Sequence, residues 1–240
     1  EYKLLDKNFP TIDPKKPYAL TKEEEDIMER LERAFENCEK LQRHMHFLLN
    51  KGGLYKVYNG NLLYHGCVPL KEDGNLKSVR IFGRAYKGKG LYEVLESYVR
   101  KGFYAMDSKE KERGKDIMWY IWLSENSPLF GKDKMATFER YFLAEKETHK
   151  EKKNPYYLLL EDEKVICHIL KEFGLENKDA HIINGHVPVK CKDGEKPIKC
   201  GGKVLVIDGG FSRAYQKETG IAGYTLIYNS YGLILAAHEP

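Results

Sequence analysis

The hydrophobic period of this chain changes from helical to extended across Gly52-Gly53, and that switch fixes the class of fold open to it. From Thr21 to Asn50, the residues Ile27, Leu31, Phe35, Cys38, Leu41, Met45 and Leu48 recur every three or four positions, the spacing of one apolar helix face. Thr21 with Glu24 forms a capping box at its start, so one long amphipathic helix is predicted. Beyond the glycine pair, Leu54, Lys56 and Tyr58 alternate with Tyr55 and Val57, and the chain returns from Leu62 to His65 through Asn59-Gly60. Asn-Gly between alternating segments is the strongest short hairpin signal. A chain holding both patterns belongs to an α/β (α+β) class, with helices packed outside sheets.

The remaining elements follow by the same reading. Pro10, Pro14 and Pro17 deny helix to residues 1–20, an extended arm or linker. Residues 21–240 then form the folded region, with a helical segment at about 91–147: helices over Leu91–Arg100, Asp107–Glu125 and, more weakly, Phe138–Glu147. Ile117, Met118, Ile121 and Trp122 are the expected buried face of the second. Val79–Phe82 is a short strand, Gly83–Gly90 a link, and Glu145–Asn154 an exposed connection. Asp162–Phe173 is a helix that Gly174 closes with a left-handed cap. Strands are expected at Ala180–Ile183, Lys203–Ile207, Thr225–Asn229 and Leu233–His238, the last two joined as a hairpin. The run Val204-Leu205-Val206-Ile207 suits a strand buried on both faces.

Composition excludes several classes. With 42% hydrophobic and 12% aromatic residues the 240-residue chain can bury a core. The net charge of +4 is spread through both signs, so charge gives no nucleic-acid footprint. Five cysteines at Cys38, Cys67, Cys167, Cys191 and Cys200 lack paired spacing, which favours reduced thiols over a secreted disulfide frame. No apolar stretch reaches the roughly 18 residues of a membrane span, and a cytoplasmic protein is expected.

Two histidines stand at strand-to-loop corners: His65 in Tyr-His-Gly-Cys-Val-Pro and His186 in Asn-Gly-His-Val-Pro. Each imidazole can project from a strand end into a crevice and bind an ion through a neutral ring nitrogen, while the other nitrogen is fixed by a carbonyl or carboxylate. An arbitrary histidine is more often a satisfied, partly buried residue. His44 and His46 lie two apart on one helix and face apart; His149, His168, His181 and His238 have no comparable context. The sequence has no HExxH, no Cys-x-x-Cys pair, no Walker loop and no GxGxxG between a strand and a helix, so the two corners look like half of a metal site.

Four runs carry a resemblance. They are Gly-Gly-Leu-Tyr-Lys-Val-Tyr-Asn-Gly-Asn-Leu-Leu-Tyr-His-Gly-Cys-Val-Pro-Leu from Gly52, Asn-Ser-Pro-Leu-Phe-Gly-Lys-Asp-Lys-Met-Ala-Thr-Phe-Glu-Arg-Tyr-Phe from Asn126, Asn-Gly-His-Val-Pro-Val-Lys from Asn184, and Ile-Asp-Gly-Gly-Phe-Ser-Arg-Ala-Tyr-Gln-Lys from Ile207. From Thr21 onward the chain resembles the C-terminal portion of the class III fructose-1,6-bisphosphatases of Gram-positive bacteria. These are calcineurin-like metallophosphoesterases, and the resemblance implies part of a β-sandwich flanked by helices. Their ligand motifs run DxH, GDxxDRG, GNH, a lone His and a late Gly-His; His65 matches the fourth and His186 the fifth. The first three, with the general acid, are expected upstream of Glu1, in a missing N-terminal portion of the same protein.

The resemblance further implies hydrolysis of the 1-phosphate of fructose 1,6-bisphosphate in gluconeogenesis, a dinuclear divalent centre of Mn²⁺ or a similar ion, a phosphorylated sugar substrate and a homo-oligomer. It also points to Lys132 or Lys134 as a clamp on the phosphoryl group, although either is as readily a solvated surface lysine. In Asp208-Gly209-Gly210-Phe211, the glycines Gly209 and Gly210 allow backbone amides near an anion, with Arg213 and Lys217 a short turn away; a tight turn alone explains the same glycines. Tyr215 either meets the sugar or packs. Two other readings stay open: a non-catalytic module that binds a sugar phosphate or a partner subunit, and another calcineurin-like phosphoesterase.

Overall fold

The structure, a computed structural model, describes residues 2–239. The chain divides into two compact units, one formed by the residues up to Gly53 with Ala136–Lys150, the other by Leu54–Met135 with the residues from Glu151 onward.

In the first unit the proline-rich arm holds no helix among its described residues, and Leu4 pairs with Leu143 through an isolated antiparallel bridge. The expected single long helix is two: α1, Lys22–Glu36, and α2, Glu39–Lys51. The Thr21–Glu24 capping box is present. The break has a local cause. Asn37 Nδ2 donates to the Arg33 carbonyl at 2.8 Å, and Cys38 is extended, with φ −79° and ψ 97°; an asparagine bonding back to the last turn ends a helix that hydrophobic spacing alone would continue. Thr137–Phe142 forms α5, shorter than the Phe138–Glu147 reading, and a 3₁₀ turn follows at Lys146–His149.

The second unit begins with β1, Tyr55–Tyr58, and β2, Asn61–Tyr64, paired in the predicted hairpin with Asn59 and Gly60 at φ 49° and 73°. Val79–Ile81 (β3) pairs with Arg84–Tyr86 (β4), a second hairpin where a glycine-rich link was expected. Gly88–Tyr104 (α3) and Ser108–Leu123 (α4) follow. Ile117 and Ile121 are buried as predicted, but Trp122 is 66% exposed, so the apolar stripe is narrower than the sequence pattern. Glycine sets how closely α3 and α4 approach: a Cβ on Gly114 would lie 2.1 Å from the Gly102 nitrogen.

Glu163–Glu172 (α6) is capped by Asp162 and closed by Gly174 at φ 81°. The preceding connection is partly buried, not exposed throughout, because Thr148 and Asn154 lie inside their units. Strands His181–Asn184 (β5), Ile198–Lys199 (β6) and Val204–Val206 (β7) follow, then the short helix α7, Arg213–Thr219, within a region read as strand and loop, and the terminal hairpin of β8, Gly223–Asn229, and β9, Gly232–His238. One five-stranded sheet has the order β1-β2-β5-β7-β6, beside the separate β3–β4 and β8–β9 pairs. β2, β5 and β7 are mutually parallel, and the antiparallel β1 and β6 form the edges.

Ile166 and Ile169 of α6 join Leu62, Ile182 and Val204 of the three parallel strands in one fully buried cluster, each such side chain contributing about 1.5–3 kcal/mol. All five cysteines are free thiols. No described helix is long and apolar enough to cross a membrane.

The α3–α4 approach gives a direct test. Gly114→Ala forces backbone against backbone and lowers stability by about 2–3 kcal/mol in denaturant unfolding. An exposed substitution on the same helix, Lys115→Ala, leaves the midpoint within about 0.5 kcal/mol.

Candidate metal centre and phosphate site

Parallel pairing brings the two corners together. Leu63 is in register with Ile183, and Asn184 with Val206, so β2, β5 and β7 end at the same edge, where open α/β sheets place their ligand sites. The residues leaving those ends are His65, His186 and Asp208. The Gly185 amide donates to the His65 carbonyl at 2.9 Å, tying the first two corners directly.

The imidazoles converge. His65 Nε2 lies 3.0 Å from His186 Nδ1. His186 Nε2 lies 2.8 Å from the Phe130 carbonyl oxygen, which only accepts, so Nε2 carries the proton and Nδ1 presents a bare lone pair. With no ion between them, His65 Nε2–H donates to that lone pair. Burial disfavours the charged form of both rings and lowers both pKa values; for His186 the neighbouring His65 and the Lys132 ammonium push the same way, while Asp208 opposes the shift at both rings.

Two nitrogens at this separation suit a metal. At nitrogen–metal distances of about 2.0–2.1 Å, neighbouring ligands of one ion stand roughly 3 Å apart, so an ion would replace the proton these rings share. His65 and His186 therefore fit as two ligands of a common ion. Among the described residues no third histidine, cysteine, aspartate or glutamate completes such a group.

Backbone and buried side chains hold the pair in place. His186 sits at φ 65° at the centre of a γ-turn closed by Val187 N–H donating to the Gly185 carbonyl at 2.8 Å, a strained backbone of the kind that clusters at functional sites. Asn184, only 2% exposed, donates through Nδ2 to the Gly66 carbonyl at 2.9 Å and to Tyr156 Oη at 3.1 Å, and Tyr156 in turn meets Tyr64 Oη at 2.7 Å. Asn184 thus clamps the loop behind His65 from the strand that carries His186. Cys67, two residues from His65, is not a nucleophile: burial pushes its thiol up to about 12.

The expected phosphate contacts are placed less uniformly. Lys132 acts electrostatically on His186 and is paired with Glu151 at 3.1 Å. Lys134 is partly exposed and is not among the charges acting on either ring. A Cβ on Gly209 would lie 2.7 Å from Gly223 Cα, and one on Gly210 2.8 Å from Tyr215 Cβ, so close packing explains both glycines. The Gly210 amide is already donated to Asp208 Oδ1 at 3.1 Å. Arg213 and Lys217, four apart on α7, are exposed and share one face of it, and neither is among the charges acting on the two imidazoles; Tyr215 is 60% exposed.

Comparison with known proteins decides the family. The family model described as Firmicute fructose-1,6-bisphosphatase matches residues 1–240. The chain belongs to that family. It is 58% identical over all 240 residues to "Fructose-1,6-bisphosphatase class 3" of Clostridium botulinum (strain Hall / ATCC 3502 / NCTC 13319 / Type A), and 58% identical over the same span to the protein of that name from Clostridium novyi (strain NT). It spans 36% of the length of each. No solved structure matches it. For this family member, sequence reasoning missed Asn184 and Asp208 as parts of the histidine site. Both lie one residue beyond strands expected from the sequence, and that position was the available signal.

Two outcomes follow for the ion-free protein. Glycine relieves the backbone at position 186 whereas alanine does not, so His186→Gly is more stable than His186→Ala by about 1 kcal/mol in denaturant unfolding. The lowered pKa values of His65, His186 and His181 mean that below the ordinary histidine value the unfolded chain takes up protons the folded one refuses. Stability therefore falls as pH drops from 7 through the 6.5 region, and His65→Gln flattens part of that slope in unfolding curves at successive pH values.

Proposed function

We propose that this chain is the C-terminal portion of a metal-dependent phosphomonoesterase that removes the 1-phosphate of fructose 1,6-bisphosphate to give fructose 6-phosphate, serving gluconeogenesis in the cytoplasm as a homo-oligomer. The convergence of His65 Nε2 and His186 Nδ1 at 3.0 Å carries the metal dependence. The substrate rests on the names borne by the relatives. In this reading the five-stranded sheet is one part of a calcineurin-like metallophosphoesterase sandwich, supported by the histidines standing at the ends of adjacent parallel strands.

A divalent pair, Mn²⁺ or a similar ion, would supply hydroxide from bound water at neutral pH and offset charge building on the phosphoryl oxygens. The chain's own residues prepare that site. His65 and His186 would hold one ion, and the Phe130 carbonyl keeps the His186 proton on Nε2 so that Nδ1 stays free to ligate. Burial favours the neutral form of both rings, the form that binds metal. Lys132 brings a positive charge to the phosphoryl group, with Glu151 fixing its ammonium. The acid that protonates the departing sugar oxygen, and the bridging carboxylate, come from the longer polypeptide.

The test separates binding from turnover. In calorimetric titration, His65→Ala and His186→Ala each weaken Mn²⁺ binding by at least about 100-fold, with folding checked by circular dichroism. The 240-residue chain alone shows little turnover of fructose 1,6-bisphosphate, and a polypeptide of the relatives' length shows full turnover. Normal turnover by the isolated chain, or unchanged metal affinity in both variants, contradicts the proposal.

A further inference from the structure

Helix α4 carries more apolar surface than the chain covers. Its last two turns read Ile117-Met118-Trp119-Tyr120-Ile121-Trp122-Leu123. Seven consecutive apolar residues make a helix hydrophobic around its whole circumference, the pattern of one buried on every side. Only one side is buried. Ile117 and Ile121 join Leu91 and Leu95 of α3 in a single cluster, and Gly114 lets the two backbones meet there. On the opposite side Trp119 is 71% exposed and Trp122 66%, with Leu123 exposed beside them. These three lie three and four positions apart and share one face.

Tryptophan is the residue type most often found at the energetic centre of a protein interface. Trp119 and Trp122 are the two tryptophans of the sequence, and both stand on this face. Covering them removes roughly 200–350 Å² of aromatic surface from water per copy, a quarter or more of the ~800 Å² that each partner gives to a standard interface.

The face is complementary to itself. Lys115 is exposed and makes no ion pair or hydrogen bond among the described residues. It lies seven positions before Trp122, two turns along the same edge of the helix. The midpoint of Lys115 and Trp122 falls between Met118 and Trp119. A two-fold axis at that point, relating antiparallel helices, lays Trp119 against its own copy and sets each Lys115 ammonium over the partner's Trp122 ring, a cation–π contact made twice. An interface of identical patches needs such self-complementarity.

We infer that the outer face of α4, centred on Trp119 and Trp122 and bordered by Lys115, is the surface through which two copies of this chain associate about a two-fold axis. This deepens the homo-oligomer of the proposed function by naming its surface and the arrangement of the helices. It is independent of the metal chemistry.

Sedimentation velocity of the 240-residue chain, with tryptophan fluorescence and acrylamide quenching on the same samples, reads association and burial together, because both indoles sit on the one face. The chain is a dimer with blue-shifted emission and shielded indoles, and dilution to monomer shifts the emission red and opens the indoles to acrylamide. Trp119→Ser and Trp122→Ser each weaken dimerisation at least about tenfold, and Lys115→Gln weakens it at least about threefold. All three side chains are exposed, so the substitutions keep the fold, as circular dichroism checks. A monomer at every concentration, a dimer whose indoles stay open to acrylamide, or a dimer that the three substitutions leave equally tight overturns the inference. A dimer with open indoles uses another surface and leaves the homo-oligomer of the proposed function standing. Mn²⁺ affinity, retained in Trp119→Ser, separates this surface from the metal centre.

Discussion

The site depends on the register of three parallel strands. Pairing Leu63 with Ile183, and Asn184 with Val206, sends Leu62, Ile182 and Val204 into one fully buried cluster beneath α6. Side chains alternate along a strand, so a slip of one residue would turn those three outward and carry the histidine corners with them. The hydrophobic effect that builds the core therefore also fixes where His65 and His186 emerge. In the proposed reading, the meeting of the two histidines is a by-product of register.

What register brings together, hydrogen bonding turns into chemistry. The Phe130 carbonyl selects the His186 tautomer, and Asn184 holds the Gly66 loop from behind. Both act without touching the point where an ion would sit. Burial favours neutral rings and the Lys132 ammonium adds to that preference at His186, so the proposed metal would take the place of the proton the pair shares. The strained γ-turn at His186 is the local cost of aiming Nδ1 across the gap.

Much of this was legible in the chain because it is local. Asn59-Gly60 specifies its own turn, Thr21 with Glu24 its own cap and Asp162 with Gly174 both ends of α6, and each needs only a few neighbouring residues. The two histidines were legible as corners, since each follows a short apolar run and precedes a turn. The helix break at Asn37 was not, because one side-chain amide overrode a spacing that continued past it. Trp122 kept the helical period yet faces solvent, since periodicity marks a stripe without fixing its width. Asp208 was read as part of a phosphate loop, whereas its carboxylate accepts from the Gly210 amide and its charge acts on both rings.

The central claim is that His65 Nε2 and His186 Nδ1 ligate the same ion. Electron spin-echo spectroscopy of Mn²⁺ bound to the protein reads ligand nitrogens directly. The account predicts couplings from two imidazole nitrogens on one manganese, reduced to one by His65→Ala and to one by His186→Ala. Manganese bound with no nitrogen coupling, or a spectrum that neither substitution alters, would contradict it.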